Sequence, residues 1–199
     1  ISACLVGSEM CIRDRLALIL MATSQPETRP REQRVDSSVR SALSAYVFLL
    51  RDPHFHGLVF IGAFGISSFF AYLANSSFIL IDHYGLTPRQ YSIAFAANAA
   101  SFIGVAQFTG RLSARFGLVP VVKVAVTAYA LVMTALLLVN LIGIERLDVM
   151  LVMLFVGFGF LGLVIPTTTV LALEEHGTIA GTASALMGTL QFVLSLIHI

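Results

Sequence analysis

Four long apolar runs constrain this chain more than any other feature of its sequence. They cover approximately residues 57–81, 90–110, 118–141 and 149–171. The hydrocarbon core of a bilayer is about 30 Å thick, and a helix crosses it with about 20 residues at about 1.5 Å each. Each run is long enough to cross, and irregular backbone cannot face lipid. The runs therefore predict four membrane-spanning helices.

A fifth apolar run and the composition support the same interpretation. The fifth run covers residues 179–193. Of the 199 residues, 57% are hydrophobic and 12% are charged, whereas a soluble domain has about 25% charged residues. A net charge of +1 gives no basic field that would favour nucleic acid as a partner. We predict an all-α integral membrane protein that crosses the bilayer several times and whose main partner is lipid.

The two ends of the chain have an unusual relationship. Residues 194–199 can be encoded by a DNA segment whose reverse complement, in another frame, encodes the peptide Met-Cys-Ile-Arg-Asp found at Met10–Asp14. The segment resembles a transposon-end adapter used in sequencing libraries. We therefore expect residues 1–15 and 194–199 to be adapter-derived and give them no functional role. Both cysteines, Cys4 and Cys11, lie in these residues, so thiol chemistry is not expected elsewhere.

The composition of the segment before the first long run predicts a connector. Residues 16–22 form a short apolar stub, which we interpret as the end of a membrane helix. Residues 23–56 are more polar, and apolar side chains in them recur at helical spacing from Val39 to Leu50. This pattern predicts either an amphipathic helix on the membrane surface or a plain soluble connector helix. Residues 57–193 then form a five-helix membrane bundle.

Lysine and arginine placement predicts the orientation. Cytoplasmic loops are enriched in these residues. Eight of them fall on the side that includes residues 23–56 and 111–117, and two fall on the side of residues 82–89 and 142–148. The eight are Arg29, Arg31, Arg34, Arg40, Arg51, Arg111, Arg115 and Lys123, and the two are Arg89 and Arg146. We expect the first side to be cytoplasmic.

A short motif lies between the second and third spans. Gly110, Arg111, Arg115 and Gly117 would form a tight turn closed by glycines, with arginines at the interface. The turn resembles the loop signature of the major facilitator superfamily, although Ala114 replaces its acidic residue. An interfacial arginine turn without that relationship is the alternative.

A wider pattern is similar to the C-terminal half of the Bcr/CflA drug-efflux transporters of that superfamily. It is carried by Phe70–Leu73, Tyr84–Leu86, Phe95–Ala99, Pro166 and Ala180–Leu186. The resemblance covers residues 16–193, with Ser77 where that family tends to have proline. It implies the end of helix six, helices seven to ten and part of helix eleven, in a bacterial inner-membrane protein. It also implies a proton antiporter for small amphiphilic molecules, whose N-terminal half is missing from this chain.

Polar and aromatic side chains within the spans are candidates for a substrate-lining surface, because polar groups are costly in lipid. The candidates are Phe69, Tyr72, Asn75, Tyr91, Asn98 and Gln191. Substrate sites of such two-fold folds lie near mid-membrane. Helix packing through interhelical hydrogen bonds is the alternative role for the polar ones.

Small residues in the last two spans predict close helix packing, because they let two backbones approach. They are Gly157, Gly162, Gly181, Ala185 and Gly188. Pro166 lies inside the fourth span and is expected to kink it.

The spans contain no Asp or Glu near their centres. We therefore expect the coupling carboxylate of a proton antiporter to lie outside this chain. No metal site or cofactor is expected, since His54 and His56 have no evident third ligand, and no motif of a membrane-embedded enzyme is present. An uptake permease of the same fold and a non-transport receptor or assembly subunit remain alternative functions.

Overall fold

A computed structural model describes residues 2–24, 38–143 and 145–197. All the regular secondary structure in this part of the chain is helical. The elements are α1 (Ser2–Ser24), α2 (Val39–Leu49), α3 (Pro53–Ser77), α4 (Pro88–Ala106), α5 (Thr109–Phe116), α6 (Leu118–Leu141), α7 (Leu147–Glu174) and α8 (Ala180–Ile197). A π-helical segment, Phe78–His83, continues α3, and a 3₁₀ turn, Gly177–Ile179, precedes α8.

The N-terminal helix α1 belongs to a unit of its own, residues 1–38, and the remaining helices form a second unit. Helix α1 runs without a break through the boundary at residue 15 that we predicted between adapter-derived sequence and membrane stub. The apolar side chains described along it, such as Leu16 and Leu20, are exposed. Of the predicted connector, residues 23–56, the part from 25 to 37 lies outside the described part of the chain. The origin of residues 1–15 stays a prediction.

Helix α3 begins where its sequence provides a cap. The Asp52 carboxylate accepts a hydrogen bond from the backbone N–H of His54, and Pro53 occupies the first turn, where a missing N–H costs nothing. The π-helical segment extends the helical path, so that residues 53–83 make one continuous rod. The predicted span 57–81 lies within it.

Helix α4 begins with a capping box. The Thr87 hydroxyl oxygen accepts from the backbone N–H of Gln90, and the Gln90 side chain accepts from the backbone N–H of Thr87. Two donors that the helix would otherwise leave unpaired are thus satisfied. The apolar run 90–110 begins two residues after the first residue of α4.

The end of the second span differs from the prediction. Helix α4 ends at Ala106, and residues 109–116 form a separate short helix, α5, instead of a tight turn. The glycine that follows has a positive φ of 84°, a conformation that glycine adopts without strain. Gly117 therefore caps the end of α5 and the start of α6. Of the two glycines predicted to close a turn here, only Gly117 lies between two helices, because Gly110 is inside α5.

Helix α7 is the centre of the bundle. It packs against α4, α6 and α3, while α8 packs mainly on α3. Its small residues allow these contacts: a Cβ built at Gly162 would overlap the carbonyl oxygen of Phe102 on α4, and one at Gly157 would overlap Met133 on α6. Two buried clusters result, one around Phe55, Ala172 and Ala183 and one around Phe158 and Leu161.

Five helical segments of the described chain are long and apolar enough to cross a membrane: residues 53–83, 88–116, 118–141, 147–174 and 177–195. Large apolar side chains cover their outer faces, for example Phe64, Val124, Leu131 and Val152. Lipid is the solvent in which such a surface is stable. The protein is an all-α, multi-pass membrane protein, as the sequence predicts.

Candidate functional site

A cavity lies between α3, α6 and the start of α7, and we call it the Tyr72 cavity. Its volume is about 640 Å³, which is within the range of small-molecule sites. The lining side chains are Ala71, Tyr72, Asn75, Ser76, Ile79, Leu80, His83, Tyr84, Met133, Leu136, Leu137, Asn140, Glu145, Met150 and Leu154. Most are apolar, and the polar ones lie on α3 and near the helix ends.

Helical spacing explains how α3 supplies one wall. Tyr72, Ser76 and Ile79 recur at intervals of four and three residues, and Ala71 and Asn75 lie beside them. Side chains three or four residues apart share a helix face. The opposite wall comes from α6, where Met133, Leu137 and Asn140 follow the same rule.

Two interhelical hydrogen bonds hold the α3 wall against α4. The Asn98 amide donates to the Tyr72 hydroxyl oxygen at 2.9 Å, and the Ser76 and Tyr91 hydroxyls lie 3.0 Å apart. Asn98 is only 3% exposed, so its amide has little access to lipid or water. By contrast, Asn75 is exposed and donates within its own helix, to the Ala71 carbonyl.

One polar pair lies next to the cavity and another lies at its mouth. Ser68 and Tyr129, each one turn closer to the start of its helix than the wall residues, share a hydrogen bond between α3 and α6. At the other end, His83 Nε2 lies 3.8 Å from a Glu145 carboxylate oxygen. Both of these side chains are more than half exposed, so the pair contributes little to stability.

A smaller aromatic cavity also has Tyr72 in its lining. Its volume is about 190 Å³. Phe69, Phe95, Phe102 and Phe158 line it together with Tyr72 and Asn98. The Tyr72 ring centroid lies 4.7 Å from that of Phe158 and 5.9 Å from that of Phe95, distances typical of favourable aromatic pairs. Tyr72 therefore lines both cavities.

The sixth substrate-lining candidate, Gln191, lies elsewhere. It sits on α8, is 6% exposed, and approaches Gly62 of α3 so closely that a Cβ there would overlap the amide nitrogen. Its Nε2 atom has no hydrogen-bond partner within the described residues. The structure thus brings Phe69, Tyr72, Asn75, Tyr91 and Asn98 together and leaves Gln191 apart.

Comparison with known proteins assigns the fold to a family. The sequence profile of the Major Facilitator Superfamily matches residues 15–197, which include all of α2 to α8. The chain belongs to the Major Facilitator Superfamily. This superfamily consists of transporters, which agrees with a helical bundle that contains cavities of ligand size.

Two relatives within the superfamily are bacterial. The chain is 31% identical over 179 residues to the uncharacterized MFS-type transporter YdgK of Bacillus subtilis, covering 90% of this chain and 44% of that protein. It is 24% identical over 183 residues to the bicyclomycin resistance protein homolog of Haemophilus influenzae, covering 92% and 46%. The chain thus spans less than half the length of these relatives. No solved structure matches it significantly.

The superfamily-like motif residues lie around α5. Gly110 and Arg111 are on the exposed side of this short helix, and Gly117 is its C-terminal cap. The Arg115 guanidinium lies 5.3 Å from the ring centroid of Phe116, within the range of a cation–π contact. The structure therefore places the two arginines one helical turn apart at the end of the α4–α5 segment.

The small residues proposed for packing fall into two groups. Gly157 and Gly162 stand at close helix contacts of α7, as described above. By contrast, a Cβ built at Gly181 or Gly188 meets no described heavy atom within 4 Å, and Ala185 is exposed. Pro166 is inside α7, followed by three threonines whose hydroxyls donate to carbonyls of the preceding turn.

Several side chains of the site were not among the sequence candidates. Tyr129 and Met133 belong to an α6 run with no polar face that would single them out, and Phe158 lies in a uniformly apolar helix. His83 and Glu145 lie in loops that the sequence predicts only as polar. Ser76 alone carried a usable signal, because it follows Tyr72 by one helical turn.

Proposed function

We propose that this chain forms part of the substrate path of an efflux transporter for small amphiphilic molecules, a proton antiporter of the bacterial inner membrane. The Tyr72 cavity carries the proposal, since it combines an apolar volume of about 640 Å³ with hydroxyl and amide groups on one wall. An apolar body fits the α6 side, and a polar end can hydrogen-bond to Asn75 or Ser76. On this proposal the chain has no enzymatic activity.

The direction of transport is inferred from a relative. A protein named as a bicyclomycin resistance homolog is 24% identical to this chain, and its name describes resistance to a drug. Transport out of the cell is the simplest way for a membrane transporter to confer resistance. An uptake permease and a receptor or assembly subunit are the outcomes against which the proposal is tested.

Proton coupling is inferred to use a group beyond this chain. A coupling group must titrate and must be reachable from both sides of the membrane. The carboxylates of the bundle, among them Asp82, Glu145 and Glu175, lie near helix ends. The proposal therefore assigns substrate contacts to the Tyr72 cavity and coupling to the part of the protein that this chain does not contain.

Tyr72→Ala tests the substrate path in the native-length protein. Cells that express it are loaded with a panel of fluorescent amphiphiles, and efflux is measured with and without an uncoupler, normalised to the amount of protein in the membrane. We expect uncoupler-sensitive efflux from the native protein, reduced about tenfold in Tyr72→Ala because ring stacking and hydroxyl contact, together worth about 1.4 kcal/mol or more, are lost.

The matched control is Phe78→Ala, which removes an exposed aromatic ring from the same rod outside the cavity lining. It should leave efflux per molecule unchanged. Accumulation instead of efflux would favour an uptake permease, and no flux in either direction would favour a receptor or subunit. Equal efflux by Tyr72→Ala and Phe78→Ala would remove the Tyr72 cavity from the substrate path.

A further inference from the structure

A buried histidine lies where the start of α3 meets the end of α7. His176 is 6% exposed, its Nδ1 lies 3.0 Å from the Ala172 carbonyl oxygen, and its Nε2 lies 3.1 Å from Oδ2 of Asp52. The Phe55 ring centroid is 5.3 Å from the imidazole, and that of Phe48 is 6.1 Å away. Nothing in the proposed substrate path uses this group.

Asp52 is held in its charged form. Partial burial acts to raise the pKa of its carboxyl, but hydrogen bonds from the backbone N–H groups of His54 and Phe55 and the nearby His176 and His54 side chains outweigh this, so the pKa lies below its ordinary value. A carboxyl whose pKa is lowered on folding adds stability that is lost only as pH falls through that lowered value. Around neutral pH, Asp52 is therefore a carboxylate that can only accept hydrogen bonds.

Both ring nitrogens of His176 consequently face acceptors. A backbone carbonyl oxygen cannot donate, and neither can a carboxylate. A neutral imidazole has a single N–H, so either tautomer would point one nitrogen lone pair at an oxygen about 3 Å away. Water cannot relieve that contact because the ring is buried. Only the imidazolium, with an N–H on each nitrogen, satisfies the arrangement.

We propose that His176 and Asp52 form a proton-dependent latch between the start of α3 and the end of α7, closed while the imidazole is protonated and released when it loses its proton. Beneath it lies the buried cluster that joins α2, α3, α6, α7 and α8. The ionisable side chains that these elements carry near the junction are Arg51, His54 and His56 on the α3 side, Glu174 and Glu175 on the α7 side, Arg40 and Tyr46 on α2, and Lys123 on α6, while α8 has no ionisable side chain.

A second pair joins the same two segments and provides a matched control. His54 Nδ1 lies 2.8 Å from a Glu175 carboxylate oxygen, but the two side chains are 59% and 44% exposed. Ion pairs in water contribute little, and solvent can hydrogen-bond either form of His54. Removal of this pair should therefore leave the pH response of the junction almost unchanged.

The test is the melting temperature of the native-length protein in detergent at about pH 6 and about pH 8, a range in which histidine titrates. No substrate is needed, so the result does not depend on the proposed transport function. We expect the native protein to melt about 2–4 °C lower at the higher pH. His54→Gln should keep this difference, and His176→Gln should abolish it.

Asp52→Asn tests the His176–Asp52 latch even if the His176→Gln variant does not fold. Asparagine is an equally good helix cap, so its Oδ1 can still accept from the His54 N–H, while its Nδ2 can donate to Nε2 of a neutral imidazole. The pH response should therefore be abolished or reversed. The proposal is overturned if the native protein shows no pH response, or if Asp52→Asn retains the native one.

Discussion

Asn75 and Asn98 look alike in the sequence, yet their environments differ. Each lies within an apolar run, and the cost of a polar group in lipid predicts only that both face inward. In the structure, Asn98 is buried and reaches across to the Tyr72 hydroxyl, whereas Asn75 is exposed at the Tyr72 cavity and bonds within its own helix. The sequence therefore predicts which face is polar, but the partner of each amide depends on how the helices are placed.

We expect the two substitutions to have opposite effects. Asn98→Ala removes a buried hydrogen bond, with a cost of about 1–2 kcal/mol in the free energy of unfolding, and should lower the melting temperature by several degrees. Asn75→Ala should change the free energy of unfolding by less than about 0.5 kcal/mol but alter substrate preference. Thermal unfolding and efflux per molecule, measured on both variants, separate these effects. A larger loss of stability in Asn75→Ala than in Asn98→Ala would contradict this assignment.

At the scale of elements, the long helices follow from apolar length and caps. The four long apolar runs of the sequence overlap α3, α4, α6 and α7, since lipid forces the backbone to close its own hydrogen bonds. The short helix α5 was not predicted, because a segment of eight residues with two arginines is equally compatible with a turn. The π-helical segment after α3 also has no sequence signal that we recognised.

The small residues of α7 lie at close helix contacts, whereas those of α8 face open space. The two groups should therefore respond differently to substitution. A methyl group at Gly162 would overlap backbone on α4, which cannot give way as a side chain can. We expect Gly162→Ala to cost about 1–3 kcal/mol in the free energy of unfolding, measured by thermal unfolding in detergent. Gly181→Ala on α8 is the control and should be within about 1 kcal/mol of the native protein, since the space around it is open. Equal losses from both substitutions would show that the α4–α7 contact is looser than described.

For the whole molecule, the ion pairs show which helix ends lie together. Asp52 and His176 join the start of α3 to the end of α7, and His83 and Glu145 join their other ends. Helices α3 and α7 therefore run antiparallel, as the first and fourth of consecutive crossings must. Which end faces the cytoplasm is a separate matter that depends on lysine and arginine placement, and it stays a prediction.

Labelling from the two sides of the membrane tests that orientation. In a variant without Cys4 and Cys11, one new cysteine replaces Ala114, on the arginine-bearing α5, and in a second variant one replaces Asp82, on the π-helical segment. Both positions are exposed and lie at opposite ends of the bundle. Because positive loops are retained in the cytoplasm, a membrane-impermeant maleimide added to intact cells should label the Asp82→Cys variant and should not label the Ala114→Cys variant.

In permeabilised cells the maleimide should label both variants, which controls for access to the two cysteines. Labelling of Ala114→Cys alone in intact cells would reverse the orientation and place the His176–Asp52 latch on the outer side.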